Sequence, residues 1–200
     1  MAIAIKKNKT TSPLTWIEAT KAIDYLEKKR KWHELLLIAV GCYTGYRLAD
    51  LFKLRYQDFE GDNISVVAQK TGKVRKVRIY ARLKDIVKKC QKQLKRKREH
   101  HLFVRSRFFS DKPISRMAAI TRIKQGFNFA GIEREMLSGH TLRKTYALRK
   151  FEGLKEKIGE YRALNEVRRD LRHATVDVTR RYLGIPESEL EEMMKDIFDD

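Results

Sequence analysis

Cysteine, acidic residues and long apolar runs are all scarce in this chain. There are 2 cysteines, Cys42 and Cys90, far apart. Neither has metal-ligand spacing around it, which leaves no zinc module, and two lone thiols fit a reduced cytosolic protein better than a disulfide scaffold. No apolar run approaches the ~20 residues that a membrane-spanning helix needs. The basic stretch Met1 to Lys9 has no apolar core after it, so it is not a secretory signal. Internal repeats and low-complexity tracts are missing too. With 42% hydrophobic residues in 200, the chain has the composition of one packed domain, not of a disordered tail.

The shortage of acids is informative. Lys and Arg number 45 against 26 Asp and Glu, a formal charge of +19. The segment from Glu187 to Asp200 holds seven of the acids and one lysine, which leaves +25 on residues 1–186. Such a surface attracts polyanions, and nucleic acid is the commonest large one. Charge alone does not separate a DNA enzyme from a generic RNA-binding or ribosomal protein.

Hydrophobic periodicity gives a mostly helical chain with one small sheet. Residues 1–13 read as a flexible basic arm. Thr15 and Glu18 form a capping box, and Trp16, Ala19, Ile23 and Leu26 follow at helical spacing, so a helix is expected over about 15–29. Leu35 to Tyr43 reads as a buried helix, and Leu48, Leu51 and Leu54 begin a short one. Ile64 and Val66, then Val77 and Ile79, flank the polar stretch Gln69–Lys76 as a β-hairpin. Further helices are expected over 83–98, 113–131, 141–151, 160–171 and 176–183. Leu190, Met193, Met194 and Ile197 recur at helical spacing in the acidic tail.

Four clusters carry candidate chemistry, each with an ordinary reading beside it. Arg47, just after the buried helix, is either a helix-terminal charge or a phosphate-binding arginine on a rigid element, with Asp50 placed to orient its guanidinium. Lys70 lies in Gln69-Lys70-Thr71-Gly72-Lys73. Gly72 allows a tight turn that delivers a lysine to a ligand, though lysines are ordinary at a solvated hairpin tip. His140 and Arg143, three apart at a helix start, share one face where an anion is favoured; a histidine cap beside a solvated arginine is the plain alternative. His173 and Tyr182 are nine apart, and a tyrosine among apolar neighbours is by itself a core residue.

In this order, Arg47, Lys70, His140-x-x-Arg143, His173 and Tyr182 resemble the tyrosine recombinase (phage integrase) family. The Thr44-Gly45-Tyr46-Arg47 and His140-Thr141-Leu142-Arg143-Lys144-Thr145 tracts are similar to its motifs, as are Gln69–Lys73 and Arg181-Tyr182-Leu183-Gly184-Ile185. The resemblance covers residues 14–198. It implies the family's catalytic-domain fold over residues 14–200, with the acidic tail as a helical extension; full-length members usually carry an N-terminal core-binding domain, and since no such domain is expected here, the chain is expected to be either an excised catalytic domain or similar to the short stand-alone members. It implies a site-specific recombinase or integrase that cuts and rejoins double-stranded DNA through a 3′-phosphotyrosyl bond to Tyr182. In that scheme Arg47 and Arg143 clamp the phosphate, His140 is the acid/base, Lys70 protonates the leaving oxygen, and His173 binds the phosphate or positions the tyrosine. No metal or other cofactor is expected, and the partners are DNA and further copies of the chain, as a tetramer on two DNA sites. The expected location is the cytoplasm, at the nucleoid of a prokaryotic or phage host. The remaining basic residues, such as Lys95–Arg98 and Arg116–Lys124, are expected to be phosphate contacts or solvated faces. A type IB topoisomerase-like enzyme and an inactive DNA-binding relative are the alternatives. Two departures stand out. Arg172 occupies a position where the resemblance leads one to expect glycine, so the backbone before His173 is expected to differ. The stretch Glu156–Arg162 reads as an extra turn or helix.

Overall fold

Thr15 begins the first helix as its capping box requires. Its side chain accepts from the Glu18 amide at 3.2 Å, and Glu18 reaches back to the Thr15 amide at 2.9 Å. The computed structural model describes residues 11–67, 72, 74–105 and 111–185. The expectations about the arm at 1–10, Lys70 and the acidic tail at 187–200 lie outside the described residues.

The chain divides into two compact units, Met1–Arg149 and Lys150–Asp200. In the first, α1 (Trp16–Lys28) and α2 (Trp32–Thr44) lead into the short α3 (Leu48–Leu51) and a 3-10 turn, Tyr56–Phe59. The hairpin follows as β1 (Asn63–Val67) and β2 (Val74–Arg78), antiparallel, with Ile64 opposite Val77. Then come α4 (Ala81–Gln93) and α5 (Arg116–Phe129). The long α6 (Gly139–Ile158) starts in the first unit and ends in the second, which holds α7 (Glu160–Leu171) and α8 (Val176–Leu183).

α2 is the axis of the first unit because its sequence is apolar on every side. Leu35 to Cys42 are all buried, and α1, α4 and α5 pack around it. A helix with no polar face is stable only when neighbours cover it all round. Cys42 and Cys90 are free and buried, and desolvation pushes both thiols up to about 12, so they behave as small apolar groups. Leu102, Phe103 and Val104 form no helix and no regular strand, yet they are buried. The Ile114 amide donates to the Phe103 carbonyl at 2.8 Å, and an isolated bridge pairs Val104 with Pro113.

In the second unit α7 and α8 pack on each other through α7's one apolar face, Ala163, Leu164, Val167 and Leu171. The Glu156–Arg162 stretch is the junction of α6 and α7, where Gly159 takes φ 81° and α7 starts at the next residue. Arg172 differs from expectation. It adopts φ 58°, ψ 47°, the left-handed conformation that glycine takes without a Cβ penalty. The backbone thus turns as a glycine would turn it, with an arginine side chain carried along.

No described helix is long and apolar enough to cross a membrane.

Candidate active site

The end of α2 places the first candidate. Gly45 caps α2 in the left-handed region at φ 59°, with its amide donating to the Gly41 carbonyl at 2.9 Å. The chain reverses there and Arg47 becomes the residue that precedes α3, half-buried and held by backbone alone: its carbonyl accepts from the Asp50 amide at 2.9 Å. Asp50 itself is buried on α3.

Close approach of α6 supplies the second and third candidates. Gly139 opens α6 against Leu48; a Cβ there would sit 2.3 Å from Leu48 Cγ. Gly41 allows the same intimacy between α2 and Leu142, whose Cδ1 would be 2.5 Å from an added Cβ. Ser138 and Thr141 fix the first turn of α6: the His140 amide donates to Ser138 Oγ at 3.1 Å, and the Ser138 amide to Thr141 Oγ1 at 3.0 Å. His140 is therefore a first-turn residue and not the cap. Arg143, one turn on, is buried and donates from its guanidinium to the Gly45 carbonyl. A guanidinium anchored at one corner keeps its other N–H groups in a fixed fork.

Arg47, His140 and Arg143 consequently line one cavity of about 270 Å³, together with Ser138, Gly139 and Arg116. No described carboxylate lines it. His140 stands exposed at this cavity, and its pKa is held below the ordinary 6.5 by partial desolvation and then by the charges of Arg143, Arg116, Lys144 and Arg47. Fixed cations around an imidazole disfavour its protonated form, and a bound anion would offset them. Among the described residues, no group of His, Cys, Asp or Glu is placed to hold a metal ion.

The hairpin is tied to the same unit by Tyr46. Its hydroxyl lies 3.1 Å from the Ile64 carbonyl and 2.9 Å from that of Arg75. The Arg75 guanidinium lies over the rings of Tyr46 and Tyr146, at 4.8 and 5.3 Å. The strands on either side of the Lys70 segment are thereby fastened next door to Arg47, although Lys70 is not described. Tyr46 and Arg75 were not singled out from sequence; an aromatic beside a candidate arginine has too many ordinary explanations.

The second unit brings His173 and Tyr182 together. Their rings meet edge to face with centroids 4.9 Å apart. Thr175 caps α8, accepting from the Val178 amide at 3.2 Å, and Tyr182 occupies the last turn, half-buried. His173 Nδ1 lies 3.1 Å from Oγ1 of buried Thr179, whose hydroxyl also reaches the Thr175 carbonyl at 3.4 Å. A hydroxyl has one proton. If it goes to the carbonyl, His173 donates from Nδ1 to the Thr179 hydroxyl. Thr179 is a candidate that sequence reading missed; a buried threonine three residues before Tyr182 reads as core.

Comparison with known proteins places the family and the fold. The profile of the phage integrase family matches residues 14–186. The Bacillus subtilis (strain 168) protein named probable integrase/recombinase YoeC is 29% identical over 177 residues, covering 88% of this chain and 90% of its own. Among solved structures, XerA recombinase superposes with a TM-score of 0.68 at 22% identity, over 95% of this chain and 66% of that one. The catalytic domain of bacteriophage HP1 integrase gives 0.60 at 21%, over 93% and 95%. XerH recombinase bound to its difH substrate in a post-cleavage complex gives 0.65 at 21%, over 96% of this chain but 55% of that one. The chain spans about two thirds or less of the XerA and XerH chains and nearly the whole HP1 catalytic domain. These neighbours have the mostly helical fold with a small antiparallel sheet found here.

Proposed function

We propose, for a chain that belongs to the phage integrase family, that it is a site-specific DNA recombinase working through a covalent bond to Tyr182. One observation carries this reading: Arg47 lines a single cavity, with no described carboxylate, together with His140 and Arg143, which lie more than ninety positions away in the sequence.

The chemistry follows from what phosphodiester exchange needs. Arg47 and Arg143 bind the two non-bridging oxygens and hold the charge that grows on them in the transition state. Tyr182 Oη attacks phosphorus, forming the 3′-phosphotyrosyl bond as the P–O5′ bond breaks. An unperturbed tyrosine titrates near ~10, so the phenolic proton must leave during attack. His140 is the group assigned to take it, since partial desolvation and its cationic neighbours favour the neutral imidazole that can accept a proton. Lys70 delivers a proton to the departing 5′-oxygen. His173, fixed by Thr179, positions the tyrosine ring or hydrogen-bonds the phosphate. A 5′-hydroxyl from another strand then attacks the phosphotyrosine and frees Tyr182, so bond energy is conserved and no nucleotide is hydrolysed. Lysine and arginine in excess supply the sequence-independent attraction to the duplex. Several copies acting on two DNA sites, as a tetramer, complete the exchange, and XerH and lambda integrase structures holding DNA or a Holliday junction support that part.

The test is covalent trapping. The protein is incubated with nicked duplexes from the flanks of its own gene, with a chelator present. A DNA-shifted band that resists denaturation and is lost in Tyr182→Phe is the expected result. A band that survives Tyr182→Phe would move the nucleophile elsewhere and end this reading.

A further inference from the structure

The cavity holds one cation more than a single phosphate uses. A phosphodiester presents two non-bridging oxygens, and Arg47 and Arg143 account for both. Arg116 lines the same cavity from the head of α5. It is exposed and makes no hydrogen bond or ion pair among the described residues. Its charge is felt at His140, second only to that of Arg143. An arginine placed at the start of a helix opposes the helix dipole, so its location is not explained by the stability of α5.

The wall beside Arg116 is apolar. Ile120 follows Arg116 by four residues on α5, and Leu48 and Phe52 are likewise four apart on α3 and its cap; all three line the cavity. Residues four apart share a helix face, so each helix turns one face to this space, and α3 and α5 pack together. The cavity lining thus combines Arg47 and Arg143, the apolar side chains of Leu48, Phe52 and Ile120, and a third arginine. Successive phosphates on a DNA strand are joined by a deoxyribose, whose carbon face is the least polar part of the backbone.

We propose that Arg116 binds the phosphate next to the scissile one, with the intervening sugar seated on Leu48, Phe52 and Ile120. The cavity is then a two-phosphate subsite that fixes the register of the cut strand before chemistry. This rests on the assignment of Arg47 and Arg143 to the scissile phosphate. It makes Arg116 a positioning residue, since it touches DNA away from the reacting bond.

The experiment needs no target sequence. Ring resonances of His140, which lies in the same cavity, are followed by NMR in the full chain during titration with TpT, pTpT and TpTp. One of the two end-phosphorylated dinucleotides should bind about tenfold more tightly than TpT, the gain of one charge-assisted hydrogen-bonded contact. In Arg116→Gln that gain should vanish while TpT affinity is unchanged, and Arg116→Lys should restore part of it. A gain undiminished in Arg116→Gln overturns the proposal, as does the absence of any His140 response to all three probes. Covalent trapping keeps the two readings apart. Wild-type trapping through Tyr182 together with an undiminished gain removes only the Arg116 subsite; a covalent band that survives Tyr182→Phe removes the recombinase reading beneath it.

Discussion

Gly45→Ala is the substitution that best tests how the arginine pair is built. Gly45 has φ 59°, and a Cβ there would meet Tyr146 Cδ1 at 2.3 Å and Cγ at 2.6 Å. Two costs add. The left-handed backbone costs a non-glycine residue about 1–2 kcal/mol. The methyl is driven into the root of an aromatic ring that also packs against Arg75, and overpacking of this kind costs about 1–3 kcal/mol. The sum is about 2–5 kcal/mol, a large part of the roughly 5–15 kcal/mol that holds a domain folded. In urea, with a slope of about 1–3 kcal/mol per molar, the midpoint should fall by about 1–2 M. A double-mutant cycle separates the costs. In a Tyr146→Ala background the ring is gone, and Gly45→Ala should cost only the backbone part, about 1–2 kcal/mol. Equal cost in both backgrounds would mean that Tyr146 does not press on Gly45, and a cost below about 0.5 kcal/mol would refute the left-handed assignment as well. Covalent trapping in the surviving fraction should fall too, because the Gly45 carbonyl anchors Arg143.

Arg172→Gly should raise the thermal midpoint, since a left-handed arginine is replaced by the residue with no Cβ penalty; after glycine's greater unfolded-state entropy the net gain is about 0.5–1 kcal/mol, and a fall in the midpoint would show that the arginine side chain outweighs its backbone. Thr179→Val keeps the volume of a buried side chain but removes the partner of His173 Nδ1; stability should drop by about 1 kcal/mol and the trapping rate with it, and an unchanged rate would detach Thr179 from His173's role. His140, held below 6.5 by desolvation and its cationic neighbours, should show a rate that is full at neutral pH and declines as pH falls through its lowered pKa. Linkage has the same sign: the folded state binds that proton less readily than the unfolded one, so stability too declines below pH 6.5 and not above it. In Arg116→Gln the acid limb should move upward, and a limb that stays or moves down would contradict the charge coupling.

Much of the fold was legible because its helices state themselves locally. The capping box at Thr15 and Glu18, the all-apolar α2 and the one-faced α7 each follow from residues within a few turns. Boundaries were less so. The expected helix over 83–98 ends at Gln93, because Leu94 caps it and Lys95 turns at φ 50°, a lysine in a conformation that composition gives no hint of. The expected start at Pro113 shifts to Arg116, where Ser115 supplies the cap. Arg47, His140 and Arg143 were legible by type and order as candidates. Their meeting was not, because it is made by residues with no chemistry: Gly41 on α2 leaves room for Leu142 of α6, Gly139 on α6 leaves room for Leu48 of α3, and nothing local distinguishes those glycines from the others in the chain.

That division has a physical reason. An arginine that binds phosphate is constrained by its charge and fork, so its identity is visible wherever it stands. A glycine that permits contact is constrained by what faces it, and the facing residue lies about a hundred positions away. Gly45 joins both kinds. It turns the chain at the end of α2, offers its carbonyl to Arg143, and leaves room for Tyr146, whose ring in turn backs Arg75 on the hairpin. A substitution there strains the backbone, the arginine anchor and the hairpin support together, whereas Arg47 replaced by an uncharged residue would, on the proposed function, remove a ligand contact. Loss of activity with stability retained should therefore mark the cavity arginines, and loss of both should mark the glycines behind them.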